Sequence, residues 1–397
     1  MLKKYNEFIL EKTMTANIPI PNDILKIAKL FRMAGKDIFV VGGAVRDFLQ
    51  NKIPHDYDLV TNALPEESKR ILKDWHVSDE QGKNFGVLRI YTDDEPLGYE
   101  LATYRKDISF GRDTKGDDQK VEIGNHITIA DDVKRRDISM NALFYDINKK
   151  EIVDLVGGID DINNKIIRAV GNPADRFRED RLRILRILRF AARTNSTIDK
   201  LTHDAILSDN RLRNINAKEN VSQERILEEW NKTMEHAQKD KSIMKRYISL
   251  LNKYNIWEQM FPGMEINKNI DIEYIKNPII FIDLFGDIKP KIKKLKELKF
   301  PDKLIKEMLF LQEYLISDDV YNLAKLKKNY HIDDSLILDW SKHMNFDMKF
   351  TKSFIKYCND GFIIDGLDLM EKGFKGAEIE KEKGRLENER FKNDFLN

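Results

Sequence analysis

The chain has 397 residues, of which 41% are hydrophobic and 34% charged, with a net charge of +1. That size suits roughly two to four domains with cores of their own, and no apolar run approaches the roughly 20 residues of a membrane-spanning helix. Cys358 is the single cysteine, which excludes an internal disulfide and a multi-thiolate metal site. The opening MLKKYNEFILEK has neither the apolar core of a signal peptide nor the Arg/Ser bias of a transit peptide, so a reducing cytoplasm is expected. A net charge near zero neither supports nor excludes RNA, because binding depends on where the basic residues sit.

In chain order, Ile24, Ile27, Leu30 and Phe31 recur at helical spacing and end near Gly35. The run IFVVGG then reads as a strand, followed by the strand-like runs HDYDLVT, GVLRIYT, GYELATYR and ISMNALFYD with turn signals between them. Strands interleaved with few helices predict an α+β head with one mixed sheet over residues 15–150. After Gly157–Gly158 the strand signal fades and apolar residues recur every three or four positions. This predicts an all-α remainder: a neck over 151–235, then a body and tail over 236–397. The charged final stretch EKGFKGAEIEKEKGRLENERFKND reads as a solvated helix or a loose tail.

The densest chemistry lies in VVGGAVRDFLQNKIPHDYDLVT, residues 40–61. A strand runs into Gly42 and Gly43, and a helix with Arg46 on its first turn follows. Glycine lets the backbone approach an anion, helix-start N–H groups point at it, and Arg46 adds a charged fork for phosphate. Asp56 and Asp58 flank Tyr57, so on a strand the two carboxylates share one face. Paired carboxylates repel unless a cation lies between them, and hard oxygen donors favour Mg²⁺. An isolated Asp-x-Asp is usually two surface aspartates; the preceding GGAVRD at this spacing argues for a site.

FREDRLRILRILRFAAR (177–193) carries a second signal. At about 100° per residue, Arg183, Arg186, Arg189 and Arg193 fall within roughly a third of the helix circumference, opposite Ile184, Leu185, Ile187, Leu188, Ala191 and Ala192. A solvated face ordinarily mixes Glu with Lys. Four arginines with no acidic neighbour along the stripe would repel one another unless an anion lay against them.

GGAVRD…HDYDLVT resembles the signature of the polymerase-β-like nucleotidyltransferases, within the class II tRNA nucleotidyltransferase and bacterial poly(A) polymerase group. The likeness covers about residues 36–235. It implies that Asp56 and Asp58 are metal ligands, with Gly43 and Arg46 against nucleotide phosphates; Glu100 stands where a third catalytic carboxylate would fit. RRDISMNALFYD (135–146) resembles the family's RRDFTMNA segment, with Ile138 and Ser139 in place of Phe and Thr. That implies Arg136 on the triphosphate and Asp137 or Asn141 near the ribose. The family further implies that Asp180 and Arg183 read the incoming base, with Arg186 and Arg189 reaching the triphosphate. Cytosine and adenine each offer an amino donor beside a ring-nitrogen acceptor, matching a carboxylate beside a guanidinium; guanine and uracil present a carbonyl to the carboxylate and are rejected. VSQERILEEW (221–230) resembles a family helix expected to support the neck without chemistry.

The resemblance therefore implies CCA addition to the tRNA 3′ end from CTP and ATP by two-metal, Mg²⁺-dependent nucleotidyl transfer. QGKNFGVLRIY (81–91) favours this over a poly(A) polymerase, and the long polar segment RKDISFGRDTKGDDQK (105–120) favours full CCA over CC addition; an A-only enzyme stays open. The rival of another class is a non-catalytic RNA-binding protein. KPKIKKLKELKFPDK (289–303) reads as a solvated basic face that could meet tRNA phosphates, and His203-Asp204 as surface helix. No membrane partner is expected, and oligomeric state is unreadable.

Overall fold

The computed structural model describes residues 12–54, 56–79, 86–107, 121–212, 221–270 and 272–396. Residues 81–85 and 108–120, on which part of the substrate argument rests, lie outside these. The chain divides into two compact units, Met1–Glu229 with Ser249–Gln259, and Trp230–Ile248 with Met260–Asn397.

The strands of the first unit are β1 (Lys12–Thr15), β2 (Ile38–Val41), β3 (Asp58–Thr61), β4 (His76–Ser78), β5 (Val87–Tyr91), β6 (Tyr99–Thr103), β7 (Arg105–Asp107), β8 (Val121–Ile123), β9 (Leu143–Asp146) and β10 (Glu151–Asp154). Eight of them form one sheet in the order β1-β10-β9-β2-β3-β6-β5-β4, while β7 and β8 pair as a separate ribbon. The sheet is mixed as expected: β3 runs parallel to β6, and β2 antiparallel to both β3 and β9. All four residues of β2 are buried, as a continuous Ile-Phe-Val-Val run in a central strand requires. β10 carries the sheet past residue 150 by pairing with β9 and β1.

ISMNALFYD is not one strand. Ser139–Asn141 form a 3-10 turn, and only Leu143–Asp146 join the sheet. The cause is tertiary: the Ser139 hydroxyl donates to Asp161, and the Ser139 carbonyl lies 2.3 Å from where a Cβ on Gly158 would sit, an approach only glycine permits. Helices α1 (Asn22–Met33), α2 (Gly43–Leu49), α3 (Pro65–Ile71), α4 (Ile129–Arg135) and α5 (Gly158–Asn163) accompany the sheet. α1 buries Ile24, Ile27 and Phe31, the periodic face read from sequence. The N-terminus of α5 is held by buried Asp154, whose carboxylate accepts from the backbone N–H groups of Val156, Gly157, Gly158 and Ile159 at 2.8–3.0 Å.

Beyond Gly158 the first unit is helical, with α6 (Pro173–Glu179), α7 (Leu182–Thr194), α8 (Lys200–Ser208) and the start of α9 (Gln223–Ala237). A short parallel pair, Ile166–Ile167 with Thr197–Ile198, is the one extended feature there among the described residues. On α8, His203 is not simply surface: its ring Nδ1 meets the Tyr254 hydroxyl at 2.7 Å.

The described part of the second unit is helical throughout. Trp230, Phe261, Phe281, Phe285 and Phe300 form an aromatic core, with Trp230 stacked on Phe281 at 5.0 Å. Each such side chain contributes roughly 1.5–3 kcal/mol by burial. The Lys-rich run 289–303 buries Leu295 and Phe300 and leaves Lys293 and Lys299 in solvent. The charged C-terminal stretch is neither loose nor wholly solvated: helix Ala377–Phe391 buries Phe391 and Glu387. Glu387 accepts from Tyr357 Oη and from the backbone N–H groups of Ile363 and Ile364, which satisfies its charge inside the fold. Among the described residues no helix is long and apolar enough to cross a membrane.

Candidate active site

β2 ends at Val41, directly opposite Asp58 at the start of β3. The chain then turns through Gly42, whose φ of 69° and ψ of −117° are open to glycine and strained for other residues, and enters α2 at Gly43. Asp56 precedes β3 by two residues and is exposed, whereas Asp58 is half-buried. Tyr57 turns the other way, its hydroxyl donating to the Pro19 carbonyl at 2.6 Å. The alternation expected of an Asp-Tyr-Asp strand is therefore present, although only Asp58 belongs to the strand proper.

β6 lies beside β3 in a register that pairs Leu59 with Leu101, which brings Glu100 alongside Asp58. Burial pushes the Asp58 carboxyl up to about 6, and the charges of Asp56 and Glu100 push the same way; Arg136 and Arg89 pull against them. Glu100 itself pairs with Arg89 across the β5–β6 ladder. It shares Asp58's field from an anchored, half-exposed position. Among the described residues no three or more acidic, histidine or cysteine side chains are preassembled around one point. Two carboxylates are nevertheless a fitting donor set for a divalent cation that takes its remaining ligands from water and phosphate.

The RRD segment sits against this edge. Fully buried Asp132, on α4, accepts from Arg135 Nε at 2.8 Å and from Arg136 Nη2 at 2.9 Å. Arg136 lies with its guanidinium 4.6 Å over the Phe144 ring and donates to the Asn141 carbonyl at 3.3 Å. The Asn141 side chain in turn accepts from Arg46 Nη1 at 2.6 Å. Arg46, 3% exposed, also holds Asp47 through Nε and Nη2. The Arg46 guanidinium is thus braced by Asp47 and Asn141, because the helix start it occupies faces the RRD segment. Arg186 donates to Asp137 at 2.8 Å, and burial notwithstanding, that guanidinium holds its carboxyl below the ordinary value.

The apolar face of α7 is buried as expected, but its arginines, expected to lack acidic neighbours, meet carboxylates from other elements. Arg183 and Arg189 are 8% and 5% exposed. Arg189 donates to buried Glu229 of α9 at 2.7 Å, so it ties α7 to α9. Arg186 meets Asp137 at 2.6 Å and Glu229 at 3.6 Å, and Arg193 meets Asp47 at 3.7 Å. Burial beside Arg46 brings Arg193 down to about 10. The carboxylates come from other elements, which the stripe alone could not reveal.

The two base-reading candidates are close in the chain, with Arg183 N bonded to the Asp180 carbonyl at 3.2 Å, while their side chains have other partners. Arg183 donates to the Arg135 carbonyl at 3.2 Å. Asp180, at the extended break between α6 and α7, accepts from Leu182 N at 3.0 Å and from Arg225 Nη2 at 2.8 Å. Arg225 and Glu229 were passed over as neck support. Their four-residue spacing on one helix is the signal that could have found them, since it sets both on the face toward α7.

A mixed-sheet head with an acidic edge, an RRD segment packed behind it and a helical neck defines a class: residues 38–168 match the Poly A polymerase head domain. The CCA-adding enzyme of Enterococcus faecalis is 38% identical over 218 residues, 54% of this chain and 50% of that protein. That of Bacillus velezensis is 31% identical over 313 residues, 76% of this chain and 72% of that protein. The chain belongs to the tRNA nucleotidyltransferase/poly(A) polymerase family. In alignment it spans about half the length of the first curated relatives it matches, 50% in each case. Its fold is also that of the Bacillus stearothermophilus CCA-adding enzyme, solved in complex with CTP, with a TM-score of 0.68 at 21% identity over 94% of this chain and 92% of that one.

Proposed function

We propose that this chain adds CCA to the 3′ end of tRNA from CTP and ATP, without a nucleic-acid template, in the cytoplasm. The observation that carries the reading is the sheet-edge place of Asp58, opposite Val41 and beside Glu100 of β6, where it feels the charges of Asp56, Glu100 and Arg136. The kinship with CCA-adding enzymes supports the choice of substrate. Asp56 and Asp58 would hold Mg²⁺, which when bound activates the attacking hydroxyl and neutralises charge developing on phosphate. Arg136 and Arg186 bind the triphosphate, Arg186 exchanging its carboxylate partner Asp137 for phosphate oxygens. Asp180 accepts from the exocyclic amino group of cytosine or adenine. Arg183 turns from the backbone carbonyl it holds here to donate to the ring nitrogen. Glu100 tunes Asp58 by its charge.

The test is incorporation on a tRNA lacking its 3′ end, with Mg²⁺ and each radiolabelled nucleotide alone, then CTP with ATP. Two C residues followed by one A and arrest is the expected result. A long A tail without CTP use moves the chain to the poly(A) polymerases, and tRNA binding with no incorporation makes it an RNA-binding protein.

A further inference from the structure

We infer that Arg89 limits the metal centre to Asp56 and Asp58: it is a positioning residue that holds Glu100 back from a divalent cation. The inference rests on the metal-binding role proposed above for those two aspartates. Three neighbouring strands carry it, in the order β3-β6-β5. β6 sets Glu100 beside Asp58 on one side and directly opposite Arg89 on the other. Paired residues of adjacent strands share a face, so Asp58, Glu100 and Arg89 form one row across the sheet. Adjacent strands lie about 4.8 Å apart, a gap that a glutamate side chain spans in either direction. Turned toward β3, Glu100 would offer the cation a third carboxylate. It is turned the other way, onto the Arg89 guanidinium.

An exposed ion pair between mobile side chains contributes little, so what matters is how firmly Arg89 is held. Its Nη1 donates to the Leu97 carbonyl at 2.8 Å while Nη2 meets Glu100. Its stem lies against Gly98, where a Cβ would come within 2.6 Å of Arg89 Cγ and the φ of 79° is one that glycine adopts without strain. The connection between β5 and β6 thus fixes the arginine at stem and head, and the planar guanidinium presents its other arm in a set direction. A cation left to two carboxylates takes its other ligands from water and phosphate, which suits Mg²⁺. A third carboxylate would favour Ca²⁺, which takes roughly six to eight oxygens and tolerates irregular geometry.

The experiment titrates the full-length protein with Mg²⁺ and with Ca²⁺ by calorimetry, without nucleotide, at about pH 8, where Asp58 is ionised. It compares the wild type with Arg89→Met, Arg89→Lys, Arg89→Met combined with Glu100→Gln, and Asp58→Ala. Arg89→Met keeps the stem and frees Glu100, so the ratio of Ca²⁺ to Mg²⁺ affinity should rise about tenfold. Loss of the arginine's own repulsion acts on two ions of equal charge alike and leaves that ratio unchanged. In the double variant the ratio should therefore return to within about twofold of wild type. Arg89→Lys, which lacks the planar fork, should show part of the rise, and it decides the matter if the Met variant does not fold by circular dichroism. A wild-type ratio in the folded Arg89 variant, or a raised one that survives in the double variant, overturns the role of Arg89. Loss of Mg²⁺ binding in Asp58→Ala would then leave the metal assignment standing. Unchanged Mg²⁺ binding in Asp58→Ala overturns that assignment, and this inference with it.

Discussion

The sheet edge and the α7 helix both concentrate charge of one sign, and they treat it in opposite ways. At the edge, burial of Asp58, with the charges of Asp56 and Glu100 acting in the same direction, lifts its carboxyl to about 6. Along α7, Arg186, Arg189 and Arg193 each meet a carboxylate brought from another element. The first is a concentration of negative charge whose donors suit a divalent cation. The second is neutralised in advance, so an arriving polyanion must compete with Asp137 and Glu229 and does not simply land on exposed arginine. Under the function proposed above, specific phosphate geometry, rather than bare attraction, would decide binding at α7.

Removing the acidic centre should break the comparison most severely. Asp58→Ala is expected to lower nucleotide incorporation by about a thousandfold or more, several kcal/mol of transition-state stabilisation, with tRNA binding by filter retention near wild type. Normal turnover by that variant would sink the metal assignment. On the basic side, Glu229→Gln leaves the Arg189 guanidinium buried without its charge partner and should cost about 3–5 kcal/mol in urea unfolding. A loss below about 1 kcal/mol would mean that Arg189 finds water, and the α7 row is less buried in solution than here.

A pH series sharpens the contrast. Asp58 must be ionised to hold a cation, so Mg²⁺ affinity by calorimetry should fall about tenfold per pH unit below about 6 and level off above 7. Without metal the sign for stability is reversed. The folded carboxyl keeps its proton between 3.8 and about 6 while the unfolded one has lost it, so this group's contribution worsens as pH rises through that window. An affinity that stays flat from pH 5 to 8 would show that Asp58 does not ligate. The smallest effect is expected of Glu100→Gln, which removes a like charge: the acidic limb should move down by a few tenths of a pH unit, with the plateau rate within about threefold. A hundredfold loss of rate would instead place Glu100 among the catalytic groups.

Much of the head was legible in sequence because its signals are local. The IFVV run, the Gly42 turn and the Asp-Tyr-Asp alternation each depend on residues within a few positions of one another, and the apolar face of α7 on a single helical period. The stretch ISMNALFYD misled because β propensity was overridden by Ser139's contacts with Asp161 and Gly158, both from a later helix. The charged tail misled for a similar reason: a glutamate is costly to bury alone, but Glu387 finds its donors on Tyr357, Ile363 and Ile364, which no pattern within the tail announces.

By itself, then, the sequence determined the fold class, the place of the paired carboxylates and the amphipathic character of α7, since these follow from the periodicity and backbone freedom of short segments. Only the tertiary structure decided which charges stay open. Arg46 is tied to Asn141, Arg189 to Glu229 and Asp180 to Arg225, across separations of 95, 40 and 45 residues. Such contacts depend on distance in space, and only the folding of α9 against α7 and of α2 against the RRD segment brings those partners within reach.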